Sequence, residues 1–148
     1  QTDFADFVAD RCEMSLEGGR IELHRFKDLA ATISSGSVHT DGMVVVPCSM
    51  NTLADIAHGQ SGNLIERAAD VSLKERRPLV LVPRETPLNL THLRNMVAAA
   101  EAGAVILPAN PGFYQSPETF DDLADFIAGR ILNLLGIPHD LFTPWKGE

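Results

Sequence analysis

The sequence predicts an α/β fold, in which a parallel sheet is buried between layers of helices. Three short apolar runs without charge, at residues 42–47, 79–83 and 104–108, are typical of strands that are covered on both faces. Helical patterns separate these runs and follow the last one. Strands that alternate with helices in this way form parallel sheets with right-handed crossovers.

The predicted elements follow one another without an internal repeat or a low-complexity linker. In chain order they are a short strand at 20–26, a strand at 42–47, a short helix ended by Gly59, a helix at 63–77 ended by Pro78, a strand at 79–83, a helix at 89–103, a strand at 104–108 and a helix at 116–136. For the last helix we expect Ser116 as the N-cap, Pro117 as the first helical residue and Gly136 as the end.

The composition is that of a globular protein with one domain. The chain has 148 residues, of which 45% are hydrophobic and 22% charged. No apolar run reaches the roughly 18 residues of a membrane span, and the acidic first residues show no secretory signal pattern. The net charge of −8, with basic residues spread along the chain, argues against nucleic acid or an anionic membrane as the main partner.

The cysteines and histidines show no metal-binding spacing. Cys12 and Cys48 form no C-x-x-C motif, and the five histidines are scattered. We therefore expect no metal site and a reduced, cytoplasmic setting. Cys48 is interpreted as a small buried hydrophobic residue at a strand end.

Polar residues follow all three apolar strands, in the stretches VVVPCS, VLVPRE and VILPAN. Because the carboxyl ends of parallel strands meet at one edge of a sheet, these residues predict a ligand site at that edge. Ser49, Asn51 and Thr52, at the start of a helix, suit a phosphate or the polar edge of a heterocycle, or serve only as a capping cluster.

The other two strand ends leave alternatives open as well. Arg84 and Glu85 form either part of the site or a salt bridge at its rim. The stiff loop PGFY presents Phe113 and Tyr114 either to a pocket or to an oligomer contact. Neither a GxGxxG turn nor a P-loop occurs, so either a phosphate is held in another way or the first strand unit lies outside this chain.

Several motifs resemble the flavin prenyltransferases of the UbiX type, formerly described as 3-octaprenyl-4-hydroxybenzoate or phenolic acid decarboxylase subunits. They are GMVVVPCSMNTLADIAHG, RAADVSLKERRPLVLVPRETPLNLTHLRNM, GAVILPANPGFYQSPETFDDLADFIAGRILNLLGI and LFTPWKG, from about Ser34 to the C-terminus. The resemblance implies a three-layer α/β/α, flavodoxin-like (Rossmann-like) sheet of the flavoprotein family. Members begin with a strand and a GASG-like turn, so residues 1–148 are expected to form a single flavoprotein domain that lacks this first unit.

The resemblance also implies a reaction. In such enzymes reduced FMN accepts a dimethylallyl group from dimethylallyl monophosphate without a metal, and the prenylated FMN serves a separate decarboxylase of the UbiD type. The family assembles as a dodecamer with active sites between subunits. The wider flavoprotein family leaves two alternatives, an FMN-dependent cysteine decarboxylase and a flavin carrier without catalysis of its own.

By position, the resemblance assigns roles to individual residues. FMN would be held by Ser49, Met50, Asn51, Thr52 and Arg84. The prenyl phosphate would be held by Tyr114, Arg130 and Lys74, with Trp145 shaping the pocket. Glu85 is the expected proton-transfer residue, and Lys74 is expected to assist catalysis. Lys74 lies on a different predicted helix from Arg130, and the resemblance allows it to come from another subunit.

Overall fold

The structure, a computed structural model, describes residues 21–142. Its strands and α-helices, in chain order, are β1 (Met43–Cys48), α1 (Met50–Ala57), α2 (Leu64–Lys74), β2 (Leu79–Pro83), α3 (Leu90–Glu101), β3 (Val105–Ile106) and α4 (Phe120–Leu134). Two 3-10 helices add a turn each, at Thr32–Ser34 and Phe113–Gln115.

The three strands form one parallel sheet in the order β1-β2-β3, as the sequence predicts. Val44 pairs with Val80, and Val80 pairs in turn with Val105. Strand β2 is central and buried along its whole length, which explains why it carries no polar residue. The ladder is irregular between Val45 and Cys48, so β1 bends just before the residues of the predicted site.

One hydrophobic core joins the sheet to helices α1, α2 and α3. Leu53 and Ile56 lie on the same face of α1 and pack with Leu79 and Leu81 of β2. The remaining buried members of this core are Val45, Cys48, Met50, Ala69, Ala99 and Ala104. The alternation of strands with covering helices is the flavodoxin-like arrangement that was expected. That residues 1–148 form one domain without its first unit stays a prediction.

The helix ends follow from backbone chemistry at single residues. Gly59 and Gly136, each two residues after the end of its helix (α1 and α4), adopt positive φ angles of 68° and 69°, as predicted. At the end of α4, Gly136 donates to the Asn133 carbonyl and Ile137 to the Leu132 carbonyl, which is the Schellman pattern. Helix α2 ends at Lys74, three residues before the predicted end, and Arg76 takes the left-handed conformation there with φ of 55°.

Two predictions on the elements are wrong. Residues 21–26 contain no strand, because no strand in the described part of the chain pairs with them. Ser116 does not cap α4, and Pro117 is not its first residue. Ser116 instead has a φ of 53° after the second 3-10 helix, and α4 begins three residues after Pro117.

Thr119 is the N-cap of α4 because Asp122 completes a capping box with it. The Thr119 hydroxyl accepts from the Asp122 N–H at 3.1 Å, and the Asp122 carboxylate accepts from the N–H groups of Thr119 and Glu118 at 2.8 and 2.9 Å. These bonds lower the pKa of the Asp122 carboxyl. The capping box of Thr119 and Asp122 therefore determines where α4 begins, although Ser116 and Pro117 also have the residue types of a helix start.

Candidate functional site

The residues after β1, β2 and β3 lie at one edge of the sheet. Cys48 is in register with Pro83, and the Ala109 N–H donates to the Pro83 carbonyl at 3.0 Å. Ser49, Arg84 and Asn110 follow these three positions directly. The prediction that the polar strand ends meet at the carboxyl edge of a parallel sheet is confirmed.

Ser49 caps the first turn of α1. Its Oγ accepts from the Thr52 N–H at 3.1 Å and lies 3.0 Å from the Thr52 Oγ1. The Thr52 N–H is thereby used inside the protein. The N–H groups of Met50 and Asn51 lack an intrahelical acceptor, as in the first turn of any helix, and among the described residues none accepts from them. A small anion at this turn would find two N–H donors and two hydroxyl groups.

The four residues of this turn are not equally accessible. Ser49 and Asn51 are exposed, and Thr52 is half-buried. Met50 is only 8% exposed and belongs to the hydrophobic core. The side chain of Met50 therefore serves packing, and only its backbone N–H faces the site.

Cys48 is a buried free thiol at the end of β1, as predicted. Its side chain is 1% exposed, and burial raises the pKa of the thiol to about 11. The thiol therefore stays protonated at neutral pH and is a poor nucleophile.

A cavity of about 230 Å³ opens between the ends of β2 and β3. It is lined by Pro83, Arg84, Glu85, Thr86, Leu88, Met96, Pro108, Ala109 and Asn110. Arg84 and Glu85 are both exposed, and no ion pair joins them within residues 21–142. The Glu85 carboxylate instead accepts from the Thr86 N–H at 3.2 Å. A rim salt bridge, the alternative interpretation of this pair, is thus not formed.

The cavity combines predicted and unpredicted residues. Asn110 follows β3 and is the polar residue of the stretch VILPAN, whereas Met96, from the core side of α3, is not among the predicted residues. Nothing in the spacing of α3 places Met96 beside Arg84, because that contact depends on how the helix packs on the sheet.

The loop after β3 brings Tyr114 against α4. The Tyr114 ring packs edge-on against Phe126, with ring centroids 6.0 Å apart and planes at 88°. Arg130 lies one turn beyond Phe126 on the same face of the helix. Although the neighbouring Gly129 is buried, Arg130 itself is exposed. This exposure leaves the guanidinium available to a ligand.

A larger cavity, of about 590 Å³, lies beside this contact. It runs between the loop, the first turn of α4 and the segment that follows α4, and its lining includes Gly112, Asp122, Phe126 and Phe142. Asp122 contributes a carboxylate to it, and the two phenylalanines contribute apolar surface.

Lys74 does not join the other predicted site residues within one chain. It is the last residue of α2, its Nζ lies 3.2 Å from the Glu75 carboxylate, and Glu75 and Lys74 border Gly36. This is the amino edge of the sheet, where the Met43 N–H donates to the Pro78 carbonyl. The length of β2, about 13 Å, separates this edge from Arg84.

Trp145 lies outside the described residues, so its predicted role stays a prediction. Within residues 21–142 no group of His, Cys, Asp and Glu side chains could hold a metal ion. None of the helices in this part of the chain has the length and apolar character that a membrane span needs.

Comparison with known proteins places the chain among flavoproteins. Residues 9–132 match the family described as Flavoprotein. The chain is 54% identical to the flavin prenyltransferase UbiX of Halalkalibacterium halodurans, a match that covers 100% of the chain and 71% of that relative. A second UbiX enzyme, from Alkalihalophilus pseudofirmus, is 56% identical over 86% of the chain and 64% of its own length.

A solved structure shows the same fold. AnUbiX (PadA1), crystallised in complex with FMN and dimethylallyl pyrophosphate, superposes with a TM-score of 0.82 at 53% identity, over 84% of this chain and 66% of that one. The chain thus spans about two thirds of the length of such proteins.

Proposed function

This chain belongs to the flavin prenyltransferases of the UbiX type, a group of transferases within the flavoprotein family, and we propose that it transfers a dimethylallyl group to reduced FMN. The observation that carries the proposal is the carboxyl edge of the sheet, where the Ser49 turn and Arg84 follow neighbouring strands. Two free N–H donors, hydroxyl groups and one exposed cation fit a cofactor that carries a phosphate on a polar heterocycle. FMN is the cofactor that fits this set and the family.

In this proposal each part of the edge has one task. Ser49, Asn51, Thr52 and Arg84 bind FMN, with the backbone of Met50 completing the turn. When bound in its reduced form, FMN supplies the nucleophilic nitrogen and carbon atoms to which the five-carbon unit is added. The chain holds both reactants in contact and excludes water, which is a large part of what such a transfer needs.

The second task is to hold the leaving phosphate. The phenol of Tyr114 and the guanidinium of Arg130 would bind its oxygens, because charged and hydroxyl donors stabilise the negative charge left when the C–O bond breaks. Glu85 would move the proton that the reaction releases, from its exposed position at the cavity beside Arg84. No step needs a metal ion for charge compensation, because the guanidinium of Arg130 supplies positive charge, to which Lys74 of another subunit would add.

Lys74 would complete the phosphate site from another subunit. Its position at the amino edge of the sheet keeps it about 13 Å or more from Arg84 of its own chain. A related protein, the UbiX-like decarboxylase of Escherichia coli O157:H7, is dodecameric, with a TM-score of 0.81 and 52% identity over 84% of this chain and 67% of that one. We therefore propose a homo-oligomer in which active sites are shared between subunits.

The proposal includes three finer points that rest on the family. The donor is the monophosphate of dimethylallyl alcohol, although the bound ligand in AnUbiX is the pyrophosphate. The prenylated FMN passes to a decarboxylase of the UbiD type. The setting is the reducing cytoplasm, which agrees with the free thiol of Cys48.

One experiment separates this function from the two alternatives. The protein is loaded with FMN, reduced without oxygen, and incubated with dimethylallyl monophosphate, with the pyrophosphate and with a cysteinyl peptide in parallel. A flavin mass increased by one five-carbon unit supports the transferase. An unchanged flavin mass supports a carrier, and CO₂ released from the peptide supports a cysteine decarboxylase.

A further inference from the structure

A row of four aromatic rings connects the Tyr114 loop to the segment after α4. Tyr114 contacts Phe126 edge-on at 6.0 Å. Phe126 contacts Phe142 at 5.4 Å, and Phe142 contacts His139 at 5.1 Å between ring centroids. Residues 137–142 therefore fold back over α4 and bring Phe142 against Phe126, which is also the ring that Tyr114 contacts. We call these residues the return segment.

Gly129 makes this return possible. A Cβ at this position would lie 2.7 Å from the Phe142 Cδ1 and 2.7 Å from the His139 Cε1. Glycine is unfavourable in the interior of a helix, where alanine is best, so its presence in the middle of α4 needs another reason. The reason is space, since the two rings occupy the volume that any side chain would fill.

The return segment is also fixed by polar contacts. The Leu141 N–H donates to the His139 Nδ1 at 3.2 Å, which leaves the proton of the neutral ring on Nε2. The His139 Nε2 then donates to the Asn133 Oδ1 at 3.1 Å. His139 is thus held to α4 on one side and to its own loop on the other, and Phe142 is held in place between His139 and Phe126.

At the other end of the row, Tyr114 is placed over a second glycine. A Cβ at Gly112 would lie 2.5 Å from the Tyr114 Cε1 and 3.1 Å from the Phe126 Cζ. Tyr114 is 63% exposed, and the edge contact with Phe126 holds its ring against α4.

We infer that Phe126 and Phe142, docked through Gly129, are positioning residues that set the direction of the Tyr114 phenol. The inference rests on the proposed function, in which that phenol binds the phosphate of the prenyl donor. It adds the return segment to the site, although no residue of that segment needs to touch the substrate. It also assigns Gly129 a role in substrate use: the glycine leaves the space in which Phe142 packs, and it does not act through the stability of α4.

The test compares Gly129→Ala and Phe142→Leu with Phe120→Leu as the matched control. Phe120 lies on the same helix, is 89% exposed and has no part in the ring row. Gly129→Ala favours the helical conformation of α4, so any effect on Tyr114 cannot be caused by loss of the helix. The chain contains one tyrosine, so protein labelled with 3-fluorotyrosine gives a single ¹⁹F resonance that reports on Tyr114 directly.

We expect both test variants to move this resonance towards that of the unfolded chain and to raise the KM for dimethylallyl monophosphate about three- to tenfold. The kcat, the FMN content and the control variant should stay at wild-type values. A wild-type resonance, or a wild-type KM, in both test variants would overturn the inference. If the wild-type protein transfers no prenyl group, the proposed function fails, and the resonance alone then decides whether the ring row positions Tyr114.

Discussion

Ser49 and Thr52 are joined twice at the start of α1, by an N–H···Oγ bond of 3.1 Å and by a contact of 3.0 Å between their hydroxyl oxygens. The pair fixes the turn that follows β1 and directs the Met50 and Asn51 N–H groups out of the sheet edge. The Ser49 Oγ is the helix cap, and in the proposed function both hydroxyl groups also bind the ligand.

Replacing Ser49 and Thr52 together by leucine should abolish FMN retention, because bulky apolar side chains block the turn and remove its hydroxyl donors. Loss of the N-cap costs about 1 kcal/mol, which leaves the protein folded. FMN content per subunit and the thermal midpoint are measured on the purified variant. Thr91→Leu, an exposed threonine in the first turn of α3, is the control. Stoichiometric FMN in the double variant would show that the turn does not bind the cofactor.

Mixing of two inactive variants tests whether Lys74 and Arg130 serve one site from different subunits. Lys74→Ala and Arg130→Ala should each lower prenyl transfer at low donor concentration. After joint dissociation and reassembly, about a quarter of the sites should carry both native residues, so about a quarter of the wild-type rate should return. Reassembly without any recovery would mean that both residues act from the same chain.

The exposed apolar residues predict assembly beyond a dimer. On α3 the exposed residues Leu90, Leu93 and Val97 form one stripe at helical spacing. Light scattering at micromolar concentration should give a mass larger than that of two chains. Leu93→Glu with Val97→Glu should lower that mass by burying charge at the contact, whereas Thr91→Glu should not. A monomeric wild-type protein would contradict this prediction.

The raised pKa of the Cys48 thiol predicts a loss of stability at alkaline pH. Burial raises the pKa of its thiol from 9.0 to about 11 in the folded state, so between these values the unfolded chain loses the proton first. The contribution of Cys48 is therefore complete below pH 9.0 and falls as pH rises to about 11, by an amount on the order of 2 kcal/mol. Urea unfolding of the wild type and of Cys48→Ala across this range should show a smaller decline for the variant. Equal declines would mean that the thiol ionises normally.

The sequence predicts the sheet well because each strand is an uncharged run between clear boundaries. Residues 79–83 match β2 in full, and the helices between strands appear where the periodicity places them. The start of α4 was missed because Ser116 and Thr119 are both acceptable caps by residue type. Only the reciprocal bond with Asp122 selects Thr119.

The site was predicted where it depends on chain order and missed where it depends on packing. The Ser49 turn and Arg84 follow strands directly, so the rule for parallel sheets places them together. Met96 reaches the cavity through the packing of α3, and Phe142 reaches Phe126 through the space at Gly129. Neither contact leaves a periodic signal in the sequence.

The phosphate clamp of Tyr114 and Arg130 is the part of the account on which prenyl transfer depends. A charge-assisted contact of this kind contributes roughly 1.5–3 kcal/mol, so Arg130→Ala should weaken use of the donor about ten- to a hundredfold. Tyr114→Phe removes one hydroxyl donor and keeps the ring contact with Phe126, so its effect should be smaller. FMN binding should be nearly unchanged in both, since in the proposed function the Ser49 turn and Arg84 hold the cofactor.

The most direct measurement is the mass of the flavin recovered after the reaction. Wild-type protein and Arg130→Ala are each loaded with FMN, reduced, and incubated with a series of dimethylallyl monophosphate concentrations. We predict a flavin heavier by one five-carbon unit from the wild type at low donor concentration. From Arg130→Ala the same product should form only at about ten- to a hundredfold higher concentration, with equal FMN content. An unshifted flavin from the wild type, or a wild-type concentration dependence in Arg130→Ala, would contradict the account.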